Sequence, residues 1–214
     1  FDLINVIQGD AKLSQALIRD KRLDTLSLLP ASQTRDKDAL TDEGVGKVID
    51  EMREKFDYIL CDSPAGIERG ATLAMRHADV AVVVTNPEVS SVRDSDRIIG
   101  LLDSKTMKAE KDERIEKFLL VTRYDAQRAD KGEMLKVDDI LEILSIPLLA
   151  VVPESQDVLK SSNLGTPVTM GSPGSTAARA YSMAARQLAG ETVTVEIPTE
   201  KRGLFGKIFA RKAA

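Results

Sequence analysis

Short uninterrupted apolar runs alternate along this chain with segments whose apolar residues recur every three or four positions. Tyr58-Ile59-Leu60-Cys61, residues 78–84, 117–122 and 148–152 are such runs, each stopped by turn-forming residues. Density in apolar or β-branched side chains predicts strands of a parallel sheet covered on both faces. Leu26-Ser27-Leu28-Leu29 before Pro30 predicts another strand. Helical spacing predicts the tail of a helix over residues 1–7, stopped at Gly9-Asp10, and a short helix over 14–18. An amphipathic helix is expected over 41–54, with Val45, Val48, Ile49 and Met52 on one face. Further helices are expected over 67–76, from Ser90 or Ser91 to Leu102, over 137–144, up to about Ser161, and over 176–188; the charge-rich stretch 103–116 reads as a solvated loop. Strand and helix alternate with short connections, so the fold class is α/β, a mostly parallel doubly wound sheet with helices on both faces.

At 214 residues the chain suits one α/β domain, assigned to residues 1–190, and a formal net charge of -4 gives no global field to gather nucleic acid. A single cysteine, Cys61, excludes an intramolecular disulfide and reads as a packed core thiol of a cytoplasmic protein. No run approaches the roughly 18 apolar residues of a spanning helix. The chain begins at Phe1 without an initiator methionine, inside what reads as a helix, and is taken as a fragment.

Four strands deliver polar or turn residues to one rim: Asp62-Ser63, Asn86-Pro87-Glu88, Arg123-Tyr124 and Pro153-Glu154. Open α/β sheets bind ligands outside the carboxyl ends of their strands. Asp62, followed by Pro64-Ala65-Gly66, can hold hydrated magnesium beside nucleotide phosphates, in the manner of a Walker B strand running into a switch loop. The alternative is an aspartate capping the helix that starts near Glu68. Gly44-Val45-Gly46-Lys47 echoes a phosphate loop, but no strand precedes it, Val48 stands where a magnesium-binding Ser or Thr belongs, and the periodicity is helical. His77 has no companion ligand and reads as a structural or surface histidine.

Three blocks, residues 61–68 (Cys-Asp-Ser-Pro-Ala-Gly-Ile-Glu), residues 85–97 (Thr-Asn-Pro-Glu-Val-Ser-Ser-Val-Arg-Asp-Ser-Asp-Arg) and Val151-Val152-Pro153-Glu154, closely resemble the MinD/ParA-type deviant Walker A ATPase family, in its septum-site-determining branch. Residues 30–40 are similar as well, so the likeness covers essentially the whole chain. It implies a P-loop NTPase-like fold, here lacking the first strand and phosphate loop, that uses ATP and Mg2+. By resemblance Asp62 is the catalytic and metal residue, orienting a magnesium-bound water, and Ser63 to Gly66 form the switch that senses the γ-phosphate. Arg123 and Pro153 lie where relatives contact adenine, while Ser155 departs from the acid expected there. Glu88, Asp94 and Asp96 lie on the helix that in the family faces partners; acids near a helix N-terminus also simply favour its dipole. The implied partners are a second copy in an ATP-dependent homodimer, a MinC-like division inhibitor and a MinE-like activator. Without its phosphate loop this chain is expected to be inactive, an ATPase only in its intact form. A loopless adaptor and a DNA-partitioning ATPase are the competing readings; the second would want a basic DNA-binding face.

After a linker over residues 191–200, residues 201–214 place Leu204, Phe205, Ile208 and Phe209 on one helical face among cations that include Lys207 and Arg211. The expectation is an amphipathic helix on anionic lipid, holding the protein peripherally at the inner face of the cell membrane. Four apolar side chains supply at most about 6 to 12 kcal/mol. Ordering some ten residues costs on the order of 1 kcal/mol each, and each cation near an anionic leaflet returns about 1 kcal/mol. One tail is therefore marginal, and two joined in a dimer gain by effective concentration. In liposome sedimentation the chain should bind anionic vesicles weakly, less so as salt rises, and not at all with Phe205→Glu. Equal binding to neutral lipid would instead mean a tail packed on the protein itself.

Overall fold

A computed structural model describes residues 1–31, 40–64, 66 and 69–199; the expected membrane helix and most of the 30–40 block lie outside the described residues. In chain order the elements begin with α1 (Leu3–Gln8), α2 (Leu13–Ala16), β1 (Ile18–Arg19), β2 (Ser27–Leu28), α3 (Asp42–Arg53) and α4 (Arg69–Arg76). They continue with β3 (Val80–Thr85), α5 (Val89–Lys105), α6 (Met107–Glu110), β4 (Glu116–Tyr124), α7 (Ala126–Asp130) and α8 (Val137–Leu144). The last are β5 (Leu148–Pro153), α9 (Gln156–Asn163), α10 (Val168–Gly171) and α11 (Thr176–Leu188). The described residues form two compact units, one within residues 1–79 and 104–114 and the other within residues 80–103 and 115–199.

In the first unit α1 has its own beginning rather than being a tail. Asp2 Oδ1 accepts from the Asn5 N–H and Asn5 Oδ1 accepts from the Asp2 N–H, a reciprocal cap that satisfies two orphan donors. Gly9, at φ 80°, ends the helix. β1, not expected from sequence, pairs antiparallel with β2 across a turn in which Asp20 accepts from the N–H groups of Arg22 and Leu23. α3 falls where its periodicity placed it: Thr41 Oγ1 caps Gly44, and Val45, Val48 and Ile49 are buried. Its glycines are contact residues, since a Cβ at Gly44 would lie 2.5 Å from Ile7 Cγ2 and one at Gly46 2.9 Å from His77 Cε1. The Gly-x-Gly-Lys echo is thereby explained by packing.

Three expectations are corrected here. Residues 58–61 form no strand: among the described residues nothing pairs with them, and Tyr58 and Leu60 are 67 % and 89 % exposed. An isolated strand leaves its backbone groups without partners, so the apolar pattern alone cannot hold it. Cys61 is accordingly exposed, not a core thiol. The stretch 103–116 is a loop only in its second half: α5 runs on to Lys105, and Thr106, fully buried, caps α6 by accepting from the Ala109 N–H.

The second unit is built on the parallel sheet β3-β4-β5. In β4 the successive residues Leu119, Leu120 and Val121 are all buried, and in β5 Leu149 to Val152 likewise, which requires cover on both faces. On one face α11 lays Ala177, Ala180 and Ala184 against Leu120, Ala150 and Val152, small side chains that let helix and strand approach closely. β3 departs from the fully buried strand expected: Val83 and Thr85 are buried, but Val80, Val82 and Val84 are 42 %, 38 % and 57 % exposed. Among the described residues β3 is an edge strand, bonded to β4 alone.

The helix glycines separate packing from propensity. Gly→Ala inside a helix gains about 1 kcal/mol from propensity, but overpacking costs about 1 to 3 kcal/mol. Gly100→Ala, whose Cβ would meet nothing within 4 Å, should raise the urea midpoint, and Gly46→Ala should lower it. A gain at both positions would show that the His77 ring does not press on α3.

Candidate functional site

Three of the four expected rim segments come together at the carboxyl ends of β3, β4 and β5. Thr85 registers with Val121, so Asn86 comes beside Thr122, whose hydroxyl donates to Asn86 Oδ1 at 3.0 Å. Pro87 is fully buried, and its carbonyl accepts from the Leu135 N–H, which fixes the turn leaving β3. The β4–β5 ladder is irregular between Val121 and Tyr124, and there Arg123 takes a left-handed φ of 57°. Such a conformation costs a non-glycine residue roughly 1 to 2 kcal/mol. It turns the arginine so that Nε donates to Glu154 Oε2 at 3.1 Å. Both partners are exposed, so the ion pair orients more than it stabilises.

Around this rim the backbone is closed by caps. Asp125 Oδ1 accepts from the N–H groups of Gln127 and Arg128 at the start of α7, and Ser155 Oγ accepts from the Asp157 N–H at the start of α9. Ser155, noted above only as a missing acid, thus has a structural use. Pro153 registers with Tyr124 and is followed by Glu154, whose N–H donates to the Tyr124 carbonyl. Burial first, and then Asp130, Asp138 and Asp139, push the Tyr124 phenol above its ordinary pKa, so it stays neutral through the physiological range. Sequence reasoning placed Asn86, Arg123, Pro153 and Glu154 at the rim but missed Thr122, whose only signal was a hydroxyl at the last regular position of an apolar strand.

The fourth segment follows no strand. Asp62 and Ser63 lie in the first unit and are exposed, Ser63 Oγ donates to its neighbour's carbonyl at Pro64, and Gly66 takes a φ of 95°. Asp62 stands seven residues before the first residue of α4, so it is not that helix's cap. An exposed carboxylate is the hard oxygen donor that hydrated magnesium accepts. Glu88 immediately precedes α5, and Asp94 and Asp96 lie in its first two turns, all three exposed, while Val92 and Ser95 face inward. No group of three or more His, Cys, Asp or Glu residues suited to a metal occurs among the described residues, His77 included. No helix among them is long and apolar enough to cross a membrane.

No family model matches the chain. Individual proteins do. The septum site-determining protein MinD of Neisseria meningitidis is 55 % identical over 213 residues, which cover 98 % of this chain and 78 % of that protein. A chain in the MinC:MinD cell division protein complex of Aquifex aeolicus is 36 % identical with a TM-score of 0.80, over 92 % of this chain and 76 % of that one. The septum site-determining protein MinD of Pyrococcus horikoshii, complexed with Mg-ADP, is 26 % identical with a TM-score of 0.71, over 88 % and 73 %.

Cys61 tests the local structure around Asp62. Shielding by the surrounding chain raises its thiol pKa, opposed by the Arg53 charge, although the side chain is exposed. Iodoacetamide should therefore label the native chain without denaturant, more slowly than a free thiol at neutral pH, with a rate that keeps climbing above the pH at which a free thiol levels off. Labelling that waits for unfolding would restore the buried strand.

Proposed function

The chain belongs to the MinD family of septum site-determining ATPases, and from that premise we propose that it positions the division septum as an ATP-switched protein. The observation that carries the reading on this chain's own residues is the rim, where Asn86, Thr122, Arg123 and Pro153 meet at the carboxyl ends of parallel strands. A nucleotide base set there would meet the Pro153 ring and the Arg123 guanidinium, which Glu154 already holds in place. Asp62 would hold magnesium through water, and Ser63 to Gly66 would follow the γ-phosphate, Gly66 giving the turn its left-handed step. Magnesium, when bound, supplies charge neutralisation at the phosphoryl oxygens.

Among the described residues the one Gly-x-Gly-Lys stretch makes no phosphate cradle. Gly44 to Lys47 lie inside α3, with the Gly44 and Val45 N–H groups committed to Thr41 Oγ1 and the Thr41 carbonyl. Those groups cannot also wrap a phosphate. The chain alone is therefore proposed to be without turnover, with hydrolysis requiring a phosphate loop in addition to these residues. The same observation favours the second reading, a non-enzymatic adaptor.

By analogy with the Aquifex complex, a division inhibitor of the MinC kind would dock on the exposed acids Glu88, Asp94 and Asp96 of α5. Dimerisation on ATP, stimulation by a MinE-like activator and attachment to anionic lipid through Leu204, Phe205, Lys207, Ile208, Phe209 and Arg211 complete the proposal. Calorimetry of the 214-residue chain with Mg-ATP should give no binding heat. The same chain preceded by the phosphate-loop segment of a MinD relative should turn over ATP and lose that turnover with Asp62→Ala. Tight binding by the 214 residues, or an Asp62→Ala variant with normal turnover, would overturn this reading.

A further inference from the structure

The β1–β2 hairpin of the first unit is apolar where a surface hairpin is ordinarily polar. Ile18, Leu23, Leu26 and Leu28 are 54 %, 46 %, 49 % and 61 % exposed. From Ile18 to Leu26 every residue except Asp20 is exposed. Single apolar side chains on a surface need no explanation, but four in one turn and its flanks form a patch that marks a contact. Ile18 stands opposite Leu28 and Arg19 opposite Ser27, so Ile18 and Leu28 share one face of the ladder. The Asp20 N–H donates to the Leu26 carbonyl, which carries the pairing one step towards the turn, and alternation puts Leu26 on the face of Leu28.

Charge decides what the patch would meet. Three cations, Arg19, Lys21 and Arg22, stand among these side chains against two acids, Asp20 and Asp24. Asp20 is folded into the turn, where Oδ1 accepts from the N–H groups of Arg22 and Leu23 and Oδ2 lies 3.7 Å from Arg22 Nη2. Its charge is thus partly answered within the hairpin, and the cations prevail outward. The base of the hairpin is fixed, since Leu13 and Ala16 before β1 are buried and the Leu3 N–H holds the Pro30 carbonyl after β2. Cations around large aliphatic side chains on a seated turn match the boundary of an anionic bilayer, where aliphatic groups enter the acyl region and cations meet the headgroup phosphates. A protein partner fits less well. β1 and β2 pair at two positions only, and a specific protein interface takes about 800 Å² from each side, whereas a bilayer demands no matching shape.

We propose that the β1–β2 hairpin is a second lipid-contacting element of this protein, one that inserts Leu23 and its apolar neighbours into an anionic membrane surface while Arg19, Lys21 and Arg22 sit at the headgroups. For what brings the hairpin to the bilayer, the proposal rests on the reading of the chain as a peripheral membrane protein. Alone the hairpin is too small to hold the chain there. Joined to another attachment it acts at high effective concentration, so that a weak contact is enough to slow release.

The chain contains no tryptophan, so the fluorescence of Leu23→Trp reports the hairpin alone. The whole chain, carrying a C-terminal hexahistidine, is anchored on vesicles of phosphatidylcholine with a nickel-chelating lipid, with or without added phosphatidylglycerol. Anchoring removes the need for any other attachment. On the anionic vesicles the indole of Leu23→Trp should shift to the blue and be quenched by brominated acyl chains, and on the neutral ones it should do neither. Leu164→Trp, at a site 79 % exposed in the second unit, should be quenched on neither. Adding Lys21→Gln/Arg22→Gln to Leu23→Trp should remove the quenching. An indole at position 23 that stays unquenched on anchored anionic vesicles, or quenching that is equal at positions 23 and 164, would overturn the proposal. So would a blue shift without vesicles that grows with protein concentration, since a second copy would then be what covers the hairpin. Failure of the peripheral-membrane reading shows elsewhere: the untagged chain would stay in the supernatant with anionic vesicles, while the anchored chain still decides the hairpin.

Discussion

A strand exists only where a neighbour takes up its backbone hydrogen bonds, and that constraint orders everything this chain does at its sheet. β4 has neighbours on both sides and buries Leu119 and Val121 completely. β3 has one, and its composition, Val-Ala-Val-Val-Val-Thr, exceeds what a half-covered edge needs. Residues 58–61 have none among the described residues, and an apolar run as dense as the others stays without a ladder. The gradient from β4 through β3 to residues 58–61 follows the number of partners, not hydrophobicity.

That gradient also sets how far sequence could be read. Helices bond within themselves, so α8 and α11 appear with the bounds their periodicity gave, and α3 within a residue of its own. β3, β4 and β5 were legible because each had a partner to make the pattern true. The run at 58–61 carried the same pattern without the partner, and no property of four residues reports what lies beside them. The helical character of 103–110 was hidden for a different reason: its charge suggested solvation, yet one buried threonine, Thr106, suffices to start a helix whose charged side chains remain outside.

At the rim the residue types were legible and the geometry was not. Polar residues after three apolar strands announced a shared edge, as they do in open α/β sheets. The ladder irregularity that gives Arg123 its left-handed backbone has no marker in Thr-Arg-Tyr, since neither glycine nor asparagine stands there. Yet it is this step that brings Arg123 to Glu154 and leaves Thr122 free to bond Asn86. A straight strand carrying the same residues would alternate them between faces and present a different edge.

The glycines of α3 show how one local pattern can answer to two kinds of physics. In a phosphate loop glycine serves because its N–H can approach an anion and its backbone can take a left-handed turn. At Gly44 and Gly46 the backbone is helical, and the missing side chain is used instead to admit Ile7 and the His77 ring. The two uses do not coincide here, because the Gly44 and Val45 N–H groups that an anion would need are taken by Thr41 Oγ1 and the Thr41 carbonyl. The glycines of α3 are therefore explained by its packing on Ile7 and His77, and the Gly-x-Gly-Lys pattern on this helix needs no anion to account for it.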